Sequence, residues 1–232
     1  MLVLAHRGLH DDAPENTLDA FAAAVAAGAD GIETDVRLSR DGLPVLFHDP
    51  KVWRRKVAAM TRAELSRAAG FRVPTLEEAM QRFDVVWDVE IKSMDAVEST
   101  LAVLRRLRGT RRFFVTSFRR DVLRRVAASG LAETGLIVEH APLGLRRTPG
   151  EIAVWRFPIA TKRRVRRAHA AGLRVFVYGA WTPGEHARCV AAGVEGLITD
   201  RPSLARAAAS AQPSSRRATG PRPRPSSRRA RP

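Results

Sequence analysis

The sequence predicts an α/β fold: a closed (β/α)8 (TIM) barrel with a β-hairpin arm after strand 2 and a disordered C-terminal tail. Three observations predict it. Short apolar, β-rich runs alternate with longer helical ones, which implies a parallel sheet with crossover helices. Nine strand-like runs can be counted, and one connection between them, "RLSRDGL" at 37–43, is too short for a crossover helix. It carries an Asp-Gly turn pair at 41 and 42, so the run after it returns antiparallel and eight strands remain for the barrel. About 205 residues precede a change in composition, the low end for such a barrel. An open doubly wound sheet is the alternative, and no G-x-G-x-x-G follows a strand to favour it.

In chain order, "LVLA" (2–5) is the first strand, followed by the Ala-rich helix 16–28, which Gly28 closes. "GIETDV" (31–36) is the second strand and "PVLFH" (44–48) the returning arm. Helical stretches at 61–69 and 75–83 lead to "VVWDVEI" (85–91), and helix 95–108 leads to "FFVTSF" (113–118). Helix 119–129 precedes "TGLIVEH" (134–140) and "IAVW" (152–155). Helix 161–171, "LRVFVYG" (173–179), helix 184–192 and "GLITD" (196–200) complete the alternation. The final "QPSSRRATGPRPRPSSRRARP" has no acid and almost nothing apolar. It cannot bury enough surface to offset its ordering entropy, so it is expected to be disordered. The expected division is a barrel over 1–205 and an Arg/Pro/Ser-rich tail over 206–232.

Composition excludes some classes. No apolar run approaches the roughly 18 residues needed to span a bilayer. Only residues 2–5 precede a polar motif, too little for a secretory signal, so a cytoplasmic location is expected. The single Cys189 cannot form an internal disulfide, which agrees with a reducing compartment. The net charge is +16, of which the seven arginines of the final stretch 212–232 supply 7, leaving 16 − 7 = +9. An anionic partner (nucleic acid, membrane surface or phosphorylated substrate) is one reading. The other is biased codon usage, since only four of the 40 basic residues are Lys.

Active sites of these barrels lie at the C-terminal ends of the strands. His6 and Arg7 end the first strand. Glu33 and Asp35 end the second, and their i, i+2 spacing puts both carboxylates on one face. Glu90 and Lys92 end the next barrel strand with the same spacing, with Asp88 before them on that face. Ser117 and Tyr178 end later strands, Thr199 and Asp200 the last, and His48 ends the arm. Acids inside an apolar run that a parallel barrel buries need a partner. Glu33, Asp35 and Glu90 therefore read as ligands of one divalent ion, and oxygen donors without thiolates suit Mg2+ or Ca2+ better than Zn2+. His6 and His48 suit general acid and base work. Arg7 and Lys92 suit a phosphate, with Gly8 letting the backbone approach it. Together these groups read as metal-assisted phosphoester hydrolysis. Glu15 and Asn16 either cap the helix that follows or brace the site. Ser117 and Tyr178 either line the pocket or pack, and Trp181 is a pocket wall or a surface aromatic. His10, Asp11 and Asp12 read as loop, and His140, His169 and His186 as structural or exposed.

Several ordered motifs carry a resemblance. H-R-G (6–8), P-E-N-T (14–17), G-A-D-G-I-E-T-D-V (28–36), D-G-x-P-V-x-x-H-D (41–49), P-T-L-E-E-A (74–79), E-I-K (90–92) and "GVEGLITDRP" (193–202) together resemble the glycerophosphodiester phosphodiesterase family. The resemblance implies a (β/α)8 barrel that uses a divalent metal to cleave glycerophosphodiesters to glycerol 3-phosphate and an alcohol. It places the metal carboxylates on Glu33, Asp35 and Glu90, the acid/base pair on His6 and His48, and the phosphate cations on Arg7 and Lys92. It gives Glu15 and Asn16 the role of ordering the site. Departures are visible. The stretch "PKVWRRKVAAMTRAEL" after Asp49 is short where the family often has a longer capping insertion, which leaves the alcohol open. Tyr178, Gly179, Ala180 and Trp181 stand where W-T-V-N is frequent, and Asp88 where Asn is frequent. The alternatives are a lysophospholipase D or phospholipase-like phosphodiesterase on the same barrel, or a non-catalytic anion-binding protein acting through the basic tail. That tail could also give weak contact with an anionic membrane or nucleic acid.

Overall fold

In the computed structural model, which describes residues 1–140 and 150–211, the chain opens with β1 (Leu2–His6), α1 (Leu18–Ala26) and β2 (Gly31–Leu38). A short arm β3 (Pro44–Leu46) follows, then a small hairpin of β4 (Lys51–Val52) and β5 (Arg55–Lys56). Helices α2 (Arg62–Ala69) and α3 (Leu76–Arg82) lead to β6 (Val86–Ile91), α4 (Val97–Leu107), β7 (Arg112–Ser117) and α5 (Arg120–Ala128). Strands β8 (Thr134–Val138) and β9 (Ile152–Arg156) are followed by α6 (Lys162–Ala170), β10 (Arg174–Tyr178), α7 (Pro183–Ala192), β11 (Gly196–Thr199) and α8 (Pro202–Ser210). The expected elements are all present, with shifts of a few residues at their ends. The expected tail lies outside the described residues from position 212 on.

Eight strands pair in parallel in the order β1, β11, β10, β9, β8, β7, β6, β2, and β2 returns to β1 to close the barrel. The arm β3 pairs antiparallel with the end of β2, Val36 opposite Leu46, because the connection of only five residues, 39–43, is too short for a crossover. Two elements have no counterpart in the sequence reading. The hairpin β4–β5 holds only two residues a side, too few to carry a period-2 signal. Helix α8 runs through the boundary expected at 205. Its Ala-rich sequence favours helix, and Ala205 is buried.

Residue parity sorts the strands into two layers. Ile32, Val36, Trp87, Val89, Ile91 and Val115 point outward and pack under the helices. Leu4, Val86, Phe114, Val154, Phe176 and Ile198 point inward and fill the lower barrel. Phe114 and Phe176 meet there with ring centroids 5.1 Å apart. Gly196 makes room for them, since a Cβ at that position would lie 2.3 Å from the Phe176 ring. Gly196→Ala is therefore expected to overpack the barrel floor. It should cost about 1–3 kcal/mol, seen as a lower denaturant midpoint at unchanged m-value. Among the described residues no helix is long and apolar enough to cross a membrane.

Candidate functional site

The inward parity that buries Leu4 and Val86 at the floor brings polar residues inward at the top. The β1–β2 register sets His6 opposite Glu33, and the β2–β6 register sets Glu33 opposite Asp88 and Asp35 opposite Glu90. The chain then turns sharply. Arg7 and Gly8 both have positive φ, 56° and 85°, and the Arg7 N–H donates to the Glu33 carbonyl at 2.9 Å and to Glu33 Oε2 at 3.1 Å. Gly8 is required for a reason the sequence did not disclose. A Cβ there would lie 2.7 Å from the Ala20 backbone, so its close approach is to α1.

Helix α1 is capped by the Thr17 side chain, which accepts from the Ala20 N–H. Glu15 and Asn16 are thus free of capping and reach into the site. Both Glu15 oxygens accept from Arg7 Nη1, at 3.0 and 3.2 Å. Buried Asn16, at φ 58°, donates from Nδ2 to Asp35 Oδ2 at 2.9 Å. Its Oδ1 accepts from Thr34 Oγ1 at 2.6 Å and from the Asp35 N–H at 3.2 Å. Asn tolerates this left-handed backbone better than most residues.

Glu33, Asp35 and Glu90 are all buried, and one oxygen from each lies within 4.8 Å of the others. Lys92 Nζ bridges Asp35 Oδ1 at 3.1 Å and Glu90 Oε1 at 2.6 Å, while Arg7 Nε lies 3.0 Å from Asp35 Oδ2. Burial pushes the Glu33 carboxyl well above the usual range, and the charges of Asp35, Glu90 and Asp88 add to it. Burial also raises Glu90, and raises Asp88 well above its ordinary value. Burial opposes the Asp35 charge too, but Lys92 and Arg7 outweigh it and hold that carboxyl low. Four buried carboxylates against two cations leave a formal 2 − 4 = −2 when all are ionised. Asp88 Oδ1 accepts from Thr116 Oγ1 at 2.6 Å, and its buried Oδ2 has no hydrogen-bond partner among the described residues. An all-oxygen donor set with this charge deficit fits a hard divalent cation.

The two histidines approach from different elements. His6 Nδ1 lies 2.7 Å from Asp200 Oδ1, which leaves Nε2 facing the carboxylates, 3.9 Å from Glu33 Oε2. Burial opposes the Asp200 charge, yet its bond to His6 holds that carboxyl below the usual range. Asp200 was a strand end without a role in the sequence reading. The signal was parity: Ile198 points into the barrel, and Asp200 is two residues on. His10 also reaches Asp200, at 3.5 Å, and His6, His10 and Asp200 form a second group close enough to share a metal. Its tightest pair is the His6–Asp200 hydrogen bond. His48 Nδ1 sits 2.9 Å from Asp49 Oδ1. Its carbonyl accepts from Arg37 Nε and Nη2 at 2.8 and 2.6 Å, which pins the arm to β2.

These side chains surround a cavity of about 120 Å3 lined by His6, Arg7, His48, Glu90, Lys92 and Tyr178, among others. The Tyr178 hydroxyl is buried without a hydrogen-bond partner among the described residues, and burial pushes it up to about 12. Half-exposed Trp181 lines an adjoining pocket with Tyr178 and Asp200. Ser117 lies elsewhere. It has outward parity, and its hydroxyl donates to the Ile91 carbonyl at 2.7 Å, while its neighbour Thr116 faces the cavity. Beyond His48 a broader groove of about 530 Å3 is lined by Phe47, Val52, Trp53 and Phe71.

A model of the "Glycerophosphoryl diester phosphodiesterase family" matches residues 6–204. A Mycobacterium tuberculosis protein named "Probable glycerophosphodiester phosphodiesterase 2" is 32% identical, over 88% of this chain and 89% of its own length. A glycerophosphodiester phosphodiesterase of Caldanaerobacter subterraneus is 31% identical, over 87% of this chain and 94% of its own. Among solved structures, an Oleispira antarctica phosphodiesterase in complex with the product sn-glycerol-3-phosphate superposes with a TM-score of 0.79. It is 24% identical, over 90% of this chain and 96% of that one.

Proposed function

The chain belongs to the glycerophosphoryl diester phosphodiesterase family, and on that premise we propose that it hydrolyses glycerophosphodiesters to glycerol 3-phosphate and an alcohol. The observation that carries the reading is the convergence of three buried carboxylates, two histidines and two cations on one small cavity. Glu33, Asp35 and Glu90 would hold Mg2+ or Ca2+, which supplies charge neutralisation at the phosphate when bound. Arg7 and Lys92 bind the remaining phosphate oxygens and offset charge that develops in the transition state. One of His6 and His48 takes the proton of the attacking hydroxyl, and the other delivers one to the departing alcohol. Asp200 and Asp49 fix the imidazole tautomers by holding each Nδ1, which leaves Nε2 to act. Tyr178 offers its hydroxyl to the substrate, Trp181 forms a wall, and Glu15, Asn16 and Asp88 hold the first ring of groups in place. A reducing, cytoplasmic setting suits the single buried cysteine.

The test is product analysis on glycerophosphocholine with and without EDTA. Release of choline and glycerol 3-phosphate, lost with EDTA and restored by Mg2+ or Ca2+, is expected. Release of phosphocholine, or no turnover with any divalent ion, sinks the reading. A second reading, a lysophospholipase D, is favoured by the apolar groove that continues from His48. Faster turnover of lysophosphatidylcholine than of glycerophosphocholine would select it.

A further inference from the structure

Three aromatic side chains are strongly exposed among the described residues: Trp53 at 88%, Trp181 at 53% and Phe118 at 47%. All three stand around the mouth. Phe118 follows β7 and lines the cavity, Trp181 follows β10 and lines the adjoining pocket, and Trp53 lines the groove beyond His48. Such surfaces on a soluble barrel mark contact sites when they cluster. The hairpin β4–β5 adds charge to this cluster. Its six residues, Lys51 to Lys56, read K-V-W-R-R-K, with Trp53 and Arg54 at the turn. Lys51, Arg54 and Lys56 are exposed and form no ion pair with a described residue, and Arg55 reaches Glu64 only at 3.8 Å. Asp49, beside the hairpin's start, is paired with His48, and Glu15 across the groove is paired with Arg7.

Backbone geometry points the same way. Trp53 has φ 54°, a left-handed conformation that a bulky residue adopts only against a steric cost. Its indole N–H donates to the Ala68 carbonyl at 3.3 Å, which fixes the ring at the rim of the groove while the residue stays 88% exposed.

We propose that the mouth face docks on an anionic phospholipid surface. Trp53 enters the headgroup layer, where an amphipathic ring is favoured. Lys51, Arg54, Arg55 and Lys56 lie against lipid phosphates, and each cation near such a surface strengthens partition roughly fivefold. Phe118 and Trp181 face the same surface from the other side of the cavity. Nucleic acid, which would also meet cations and aromatics, fits less well, because these aromatics ring a cavity on three separate loops and do not follow a groove. Docking of this kind would bring lipid-borne diesters to the catalytic mouth.

The experiment is tryptophan fluorescence of the full chain with vesicles of phosphatidylglycerol and phosphatidylcholine in equal parts, compared with pure phosphatidylcholine. Trp87 and Trp155 are buried and residues 212–232 contain no Trp, so an emission change reports Trp53 and Trp181 and not the tail. A blue shift and quenching by brominated acyl chains are expected with the anionic vesicles. Trp53→Ala should remove most of the quenching and weaken partition by about tenfold. Arg54→Glu, at an exposed position with no ion pair among the described residues, should weaken it by about fivefold or more, and it keeps the test open if the first variant fails to fold. Pelleting with vesicles without any spectral change would assign binding to another basic surface and overturn the proposal. So would a spectral shift produced by single-stranded DNA and not by vesicles.

Discussion

Replacing His6 with Ala is expected to lower kcat by about three orders of magnitude, within the range that a positioned acid or base contributes. The same is expected of His48→Ala. Both side chains are partly open to solvent and neither is packed in the core, so thermal stability should change little. Metal affinity should also persist, because the three carboxylates are ordered by Asn16, Arg7 and Lys92 and not by either histidine. The double variant should fall little below the worse single one, since the two groups serve one proton circuit. Asp200→Asn separates the roles further. It leaves the contact to His6 but can place a donor where the carboxylate accepted, which favours the wrong tautomer, so it should lower kcat about as far as His6→Ala while the imidazole stays in place. Near-normal turnover in both histidine variants would end the mechanism, and loss of metal binding in either would show that the histidines support the ion instead.

How much of this was legible in the sequence follows from the range over which each signal acts. The barrel was legible because parallel strands buried on both faces leave continuous apolar runs, and because one connection was too short to be a crossover. The carboxylates were legible because a period of two is a property of the strand alone. Glu33, Asp35, Asp88 and Glu90 all proved to be inward-facing, and Asn16 proved to brace Asp35. Ser117 falls on the opposite face by the same rule, with its hydroxyl bonded to the Ile91 carbonyl. Its strand faces inward at Phe114 and Thr116, so position 117 points outward. Asp200 is 194 residues from His6, and only barrel closure brings β11 beside β1. Arg37 anchors His48 through a backbone carbonyl, a contact with no sequence pattern. The hairpin carrying Trp53 is too short to show any period.

The second large effect concerns the carboxylates, and it should split them by sign. Asp35→Asn and Glu33→Gln both remove one anionic donor from the group that would hold the ion, so both should lose divalent-ion binding and turnover. Their stabilities in EDTA should diverge. Asp35 is fully buried with Lys92 at 3.1 Å, Arg7 at 3.0 Å and the Asn16 amide at 2.9 Å. Its carboxyl is held below the unfolded value, so its ionisation adds stability at neutral pH that is lost as pH falls through the folded pKa. Neutralising it leaves two cations short of a partner, and breaking such a buried pair costs about 3–5 kcal/mol. A fall in Tm of roughly 6–20 °C would follow for a domain of this size. Glu33 has the opposite linkage. Burial and three neighbouring carboxylates raise its pKa well above the unfolded value, so its ionisation at neutral pH works against the fold. Glu33→Gln should therefore keep or raise the metal-free Tm while abolishing the response to added Mg2+ or Ca2+. Equal destabilisation by the two variants would mean that the carboxylates act as a packed polar core. Opposite signs in EDTA, with loss of the metal response in both, would mean that the chain holds Glu33 at a cost in stability that the bound ion offsets.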